Sequence, residues 1–305
     1  MLKLTRPDLL GLLGVAIFAG TYPATRLAML GGIDPLFNAT CRIMGAGMLA
    51  ALVLSLAHRY GSAVAKPARA EVLPLLAVGL GVGLIFPLGL GYALRTVPAS
   101  HGAVVMAALP LATTLYACLR GHAWPTSRFW LAGCGAAALV LAFSWRHAHG
   151  VSDGIGVSSG YADLLLVIAM LGAAIGYVEG ARLTTPQRPG WQVISWALVL
   201  LAPVVTPLAL WCLSRTLSDG HAITTSAWMA LGYGTLFSMY LGFFPWYRAM
   251  QLAGVARISQ WQYLQPFTAI AYAVLLLNEH IDSIDLALVL GVILAIAWGR
   301  RVPHG

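Results

Sequence analysis

Apolar stretches of about 20 residues recur ten times along this chain, separated by short polar punctuation. A bilayer core is roughly 30 Å thick and a helix rises about 1.5 Å per residue, so each stretch matches one membrane crossing. The expected spans lie near 8–28, 36–57, 71–93, 97–119, 128–146, 161–183, 191–213, 224–247, 254–277 and 284–300. Only 9% of the 305 residues are charged and 59% are apolar, whereas soluble domains carry about 25% charge. With a mean hydropathy of +0.81, the chain lacks the polar surface a globule needs. Ten crossings and their loops leave no room for a soluble domain. The expected fold class is an all-α integral membrane protein with ten transmembrane helices.

The start, MLKLTRPDLLGLLGVAIFAG, has the basic and apolar regions of a signal peptide. Its apolar run continues to Arg26 without a small-residue cleavage site, so it reads as the first span. The net charge of +8 would point to nucleic acid in a soluble protein. Here it follows from basic residues collecting in cytoplasmic loops, and no nucleic-acid partner is expected. With the N-terminus inside, thirteen of the 18 Lys and Arg fall on the cytoplasmic side, including Arg300 and Arg301 at the other end. Arg26, Arg95, Arg146 and Arg215 fall outside, and Arg42 lies within a span. An odd number of spans would put Arg300 and Arg301 outside, so both termini are expected in the cytoplasm. Cys41, Cys118, Cys134 and Cys212 all sit in apolar runs without metal-ligand spacing and read as packing residues.

Shifted by 156 positions, the chain superimposes on itself span by span. Gly20 meets Gly176, Arg26 meets Arg182, Ala93 meets Ala249, Pro110 meets Pro266, Tyr116 meets Tyr272 and Gly135 meets Gly291. The expected division is therefore 1–150 and 151–305, five helices each. Five is odd, so the second repeat must insert upside down relative to the first. Such inverted repeats commonly hold a solute near the midplane between them.

Several residues in the spans are candidates for chemistry. Pro110 and Pro266 free the carbonyls of Met106 and Gln262 from helical bonding, and with Pro23 they read as hinges or as tolerated kinks. Gly79, Gly81 and Gly83 in the third span, and Gly172, Gly176 and Gly180 in the sixth, form small-residue faces suited to close packing. Ionisable groups inside spans cost roughly 2.5–3.5 kcal/mol. Arg42 either snorkels outward or holds a solute carboxylate. Glu179 either pairs with Arg182 one turn on or carries a proton that couples transport to a gradient. His101 is either a structural hydrogen-bonder or a proton relay.

The ninth span is the most polar within: Ser259, Gln260, Trp261, Gln262, Tyr263, Leu264, Gln265, Pro266. Helix-to-helix bonding would account for it. Lining a central pocket, with Tyr22, Tyr92, Tyr177, Trp196 and Tyr272 adding to its walls, is the sharper account.

The run from Pro266 through FTAIAYAVLLLN to Glu279, then Gly291-VILAIAWG, resembles the close of the EamA-type repeat in the drug/metabolite transporter superfamily. The first half carries the same proline and apolar run, with Ala123 where a glutamate would fall. The resemblance implies ten helices in two inverted repeats, a bacterial inner-membrane location and export or exchange of small metabolites. It also implies a pocket built by spans one, three, four, six, eight and nine.

The expected function is an alternating-access secondary transporter, exporter or exchanger, of a small organic solute such as an amino acid or amine. Its expected partners are that solute and membrane lipids, with a homodimer left open; no cofactor and no metal are expected. P-loop glycines are absent, and no filter-like repeat argues for a pore. The alternative is a membrane-embedded enzyme acting on a lipid, using the cluster Glu279, His280, Asp282 and Asp285.

Overall fold

The computed structural model describes residues 5–61, 63–121, 124, 126–128, 130–135, 138–139, 142, 159–218, 222–278 and 282–299. Among them every regular element is helical. The passes are α1 (Arg6–Leu30), α2 (Pro35–Arg59), α3 (Arg69–Ala93) and α4 (Ala99–Leu119), then helical residues between 127 and 142 (α5). The second half has α6 (Ser159–Leu183), α7 (Gly190–Ser218), α8 (225–253), α9 (255–277) and α10 (Ser283–Gly299). Six of these, α1 to α4, α6 and α7, are long and apolar enough to cross a membrane as they stand. Glu279 and His280 lie outside the described residues.

Local chemistry sets the helix starts. The Asp34 carboxylate accepts from the Leu36 and Phe37 N–H groups, and Pro35 takes the first helical position, where no amide is needed. At α1 the Asp8 carboxylate accepts from both the backbone N–H and the hydroxyl of Thr5.

The inversion is visible in which connections meet. Residues 63–68, between α2 and α3, lie against the α6–α7 connection. There Arg188 pairs with Glu71, and Gln192 donates to the Ala63 carbonyl at 2.8 Å. At the other face, the Thr224 N–H leading into α8 donates to the Gly31 carbonyl at 3.1 Å, between α1 and α2. The α6–α7 and α1–α2 connections are repeat mates, and they lie at opposite faces. The face that holds Thr5 and residues 63–68 is called the N face below.

Packing follows the same symmetry. Helices α2 and α7 run along each other, with Gly47 set against Ala202 and the Leu198 carbonyl. Around them α1 packs on α8 and α9, and its mate α6 packs on α3 and α4. The α3–α6 seam needs its glycines. A Cβ at Gly81 would strike the Gly172 carbonyl, and one at Gly176 would strike the Val82 side chain.

Both repeats break their helices at matching places. Wide π-type turns occupy Gly79–Ile85 in α3 and Gly234–Leu241 in α8; tight 3₁₀ turns occupy Met106–Ala108 in α4 and Ser259–Leu264 in α9. The 3₁₀ turns answer the prolines. The carbonyls of Met106 and Gln262, freed by Pro110 and Pro266, accept instead from the N–H groups of Leu109 and Gln265. A tighter turn thus satisfies backbone that lipid could not.

Candidate functional site

A small central cavity sits where the repeats meet, near Arg42. Its lining is organised by repeat mates: Thr21 with Tyr177, Val82 with Ser238, and Leu109 with Gln265 are pairs at the 156-residue register. The cavity therefore lies on the pseudo-twofold axis. In the last two pairs the first repeat supplies an apolar group and the second a polar one. The cavity is about 10 Å³, enough for roughly one water.

Arg42 is the residue that sets the electrostatics. It is 1% exposed, and its Nη2 donates to the Ser238 hydroxyl at 3.0 Å. Ser238 in turn shares a 2.7 Å hydrogen bond with the Thr21 hydroxyl. The Arg42 Nε is buried without a partner, and among the described residues no carboxylate forms a salt bridge with it. Glycine at 234 is what lets α8 come this close: a Cβ there would stand 3.1 Å from Arg42 Nε. A buried cation without a counter-charge is costly, and a bound anion removes that cost.

On the other side of the cavity Gln265 donates through Nε2 to the Tyr22 hydroxyl at 3.0 Å, which leaves its Oε1 buried with no partner. An aromatic wall closes the remaining side. Phe18 stacks on Tyr177 at 6.1 Å between ring centroids and tilts on Phe243 at 5.0 Å. A guanidinium, two hydroxyls, an amide oxygen and ring faces thus converge. Together they offer partners to an anionic end and a donor end, around a space that in this conformation admits about one water, so a solute would enter only as the repeats part.

The structure sorts the sequence candidates. Arg42, Tyr177 and Gln265 line the cavity, and Tyr22 positions Gln265. Trp261 instead points its indole N–H at the Asp8 carboxylate, 3.1 Å away, towards the N face. Gln262, in the tight turn before Gln265, is buried with neither amide atom paired and does not line the cavity. His101 is 1% exposed and meets Asp163 of α6 at 2.6 Å, close to the face opposite the N face. Tyr92 is half-buried near that same face, and Trp196 bonds the Ala65 carbonyl at the N face, so neither reaches the cavity. Tyr272 lines a separate groove. Pro23 is buried within α1, whereas Pro110 and Pro266 each follow a tight turn.

Glu179 is buried near the N face and takes three donors. Arg120 Nε reaches it at 2.6 Å, Arg182 Nη1 at 3.1 Å and the Tyr116 hydroxyl at 2.8 Å. The pairing with Arg182 is joined by one to α4 that spacing did not reveal. Ser238, Thr21 and Phe18 also escaped the sequence reading, because single hydroxyls and aromatics in apolar runs carry no marker. Among the described residues no cluster of His, Cys, Asp or Glu has the grouping of a metal site.

Fold and site together define a membrane protein of two inverted helical repeats around a charged central pocket. The chain belongs to the EamA-like transporter family, which it matches over residues 5–145 and 160–298. It is a membrane transporter. Over 302 residues it is 37% identical to the uncharacterized transporter YdeK of Bacillus subtilis (strain 168), covering 99% of each chain. It also superimposes on a solved crystal structure with a TM-score of 0.65 over 98% of both chains, at 13% identity. That likeness concerns the fold alone.

Proposed function

We propose that this transporter is a secondary active carrier, exporter or exchanger, of a small amino-acid-like metabolite. It would work by alternating access between the two repeats, with both termini in the cytoplasm of a bacterial inner membrane. The observation that carries the reading is Arg42, a guanidinium buried at the cavity between the repeats with no carboxylate partner among the described residues. A solute carboxylate would complete its hydrogen bonding, with Ser238 and Thr21 beside it. The ammonium of the same solute would donate to Gln265 Oε1 and face the rings of Phe18 and Tyr177. An amine without a carboxylate would add a second positive charge near Arg42, so the amino acid is favoured over the plain amine. Alternating access is supported by the inverted repeats, whose mate seams can exchange conformations.

The test is counterflow in proteoliposomes with labelled amino acids against their carboxamides. Saturable exchange of one amino-acid class, with the matched carboxamides failing to compete, is the expected result. Equal exchange of acids and amides would overturn the assignment of Arg42.

A further inference from the structure

A groove of about 370 Å³ opens between α1, α8 and α9 in the half of the molecule away from the N face. Its wall includes Gly20, Ala24 and Leu27 of α1 and Tyr272 and Leu276 of α9. At the 156-residue register these five fall on Gly176, Gly180, Leu183, Tyr116 and Arg120. The groove is thus the inverted mate of the α4–α6 seam at the N face.

The two mates are in different states. At the N face the seam is shut by Glu179, which takes Arg120 and Tyr116 from α4 and Arg182 from its own helix. In the groove the mates of Glu179 and Arg120 are Pro23 and Leu276, which form no ion pair, and Tyr272 lines an open wall where Tyr116 makes a bond. Tyr233 forms the inner wall of the groove and immediately precedes Gly234, which abuts the Arg42 guanidinium. The groove wall and the backbone against the cation are thus consecutive residues of α8, with the Tyr233 hydroxyl donating to the Ile17 carbonyl between the two spaces.

We propose that this groove is the outer entrance of the carrier, taking the apolar body of a solute whose anionic end goes to Arg42. The Glu179–Arg120 pair is the lock that keeps its cytoplasmic mate closed meanwhile. This inference rests on the alternating-access reading and names its two gates. Exchange of the two seam conformations would close the groove and part Arg120 from Glu179. The lock carboxylate is buried while Arg120 and Arg182 remain partly exposed, so it can be opened without burying a bare guanidinium.

The test uses full-length protein with its four cysteines replaced and one reporter added. Leu27→Cys reports the groove and Leu183→Cys its mate. Each is labelled with a membrane-impermeant thiol reagent in vesicles of known orientation, without solute. Leu27→Cys is expected to label readily from outside and Leu183→Cys slowly from inside. Glu179→Gln, and independently Arg120→Gln, should lower the first rate several-fold and raise the second. Monodisperse elution of each variant shows that it folds. Rates unchanged by both substitutions, or no labelling of Leu27→Cys, would overturn the proposal. Since no solute is present, that failure is separate from any failure of Arg42 to bind a carboxylate.

Discussion

Arg42 and Ser238, 196 positions apart in sequence, meet at 3.0 Å on the axis that relates the two repeats. The contact brings α2 of one repeat to the wide turn of α8 in the other. A π-type turn adds a residue to the helix circuit and commonly marks functional sites. Here it places a hydroxyl, Ser238, and a bare backbone, Gly234, against one guanidinium. The same turn in α3 places Val82 at the mate position. The symmetric scaffold therefore holds an asymmetric charge, which is how an inverted repeat can bind a solute that has no symmetry itself.

Removing Arg42 should separate binding from stability. Breaking a buried ion pair costs about 3–5 kcal/mol, because a charge is stranded. Among the described residues Arg42 has no such pair, so Arg42→Met should leave the Tm in detergent unchanged or raised while solute exchange is lost. Arg42→Lys should keep only part of the exchange, because a point charge replaces a fork that can take a carboxylate on two nitrogens. A fall in Tm matching several kcal/mol for Arg42→Met would reveal a structural role instead.

Trp261 and Gln265 share a helix but should respond differently. Gln265→Leu removes the unpaired amide oxygen from the cavity, and exchange should fall at least tenfold with folding retained. Trp261→Phe removes a hydrogen bond to the Asp8 carboxylate, a bond to a charged group worth about 1.5–3 kcal/mol. It should lower the Tm more than it lowers exchange. Parallel measurements of Tm and initial exchange rate on both variants decide this.

The spans and the repeat were legible because apolar length and proline position are one-dimensional signals. Pro110 matched with Pro266 reads directly as a register. The π turns were not legible, since Gly79–Ile85 and Gly234–Leu241 read as ordinary apolar helix. Glu179 showed its Arg182 partner through i,i+3 spacing, but Arg120 lies 59 residues away and is supplied only by the fold. Arg42 was legible as costly, and its lack of a carboxylate partner was not, because that depends on what the other nine passes bring near it. The aromatic residues were hardest to sort: Tyr177 reached the cavity while Tyr92 and Trp196 did not, and nothing in their neighbours distinguishes them.

The α3–α6 seam should be intolerant of added volume. A Cβ at Gly81 would overlap the Gly172 carbonyl, which is backbone and cannot swing aside. Overpacking of this kind typically costs about 1–3 kcal/mol. Gly81→Ala should lower the Tm by several degrees, and Gly81→Leu should prevent accumulation of folded protein. Gly135, where a Cβ would meet nothing within 4 Å among the described residues, is the control position, and Gly135→Ala should hold the Tm or raise it slightly.

Gln262 offers a test in the opposite direction. Both its amide nitrogen and its amide oxygen are buried without partners, although the residue is 3% exposed. Each unsatisfied polar atom carries a desolvation cost of about 1–3 kcal/mol. Replacing the amide by an apolar group of similar length removes that cost. Gln262→Met should therefore raise the Tm. Its exchange rate then tells whether the amide serves transport: unchanged exchange leaves the polar work to Gln265, whereas a more stable protein with exchange lost would add Gln262 to the solute site. Differential scanning fluorimetry and counterflow on the same preparation give both readings.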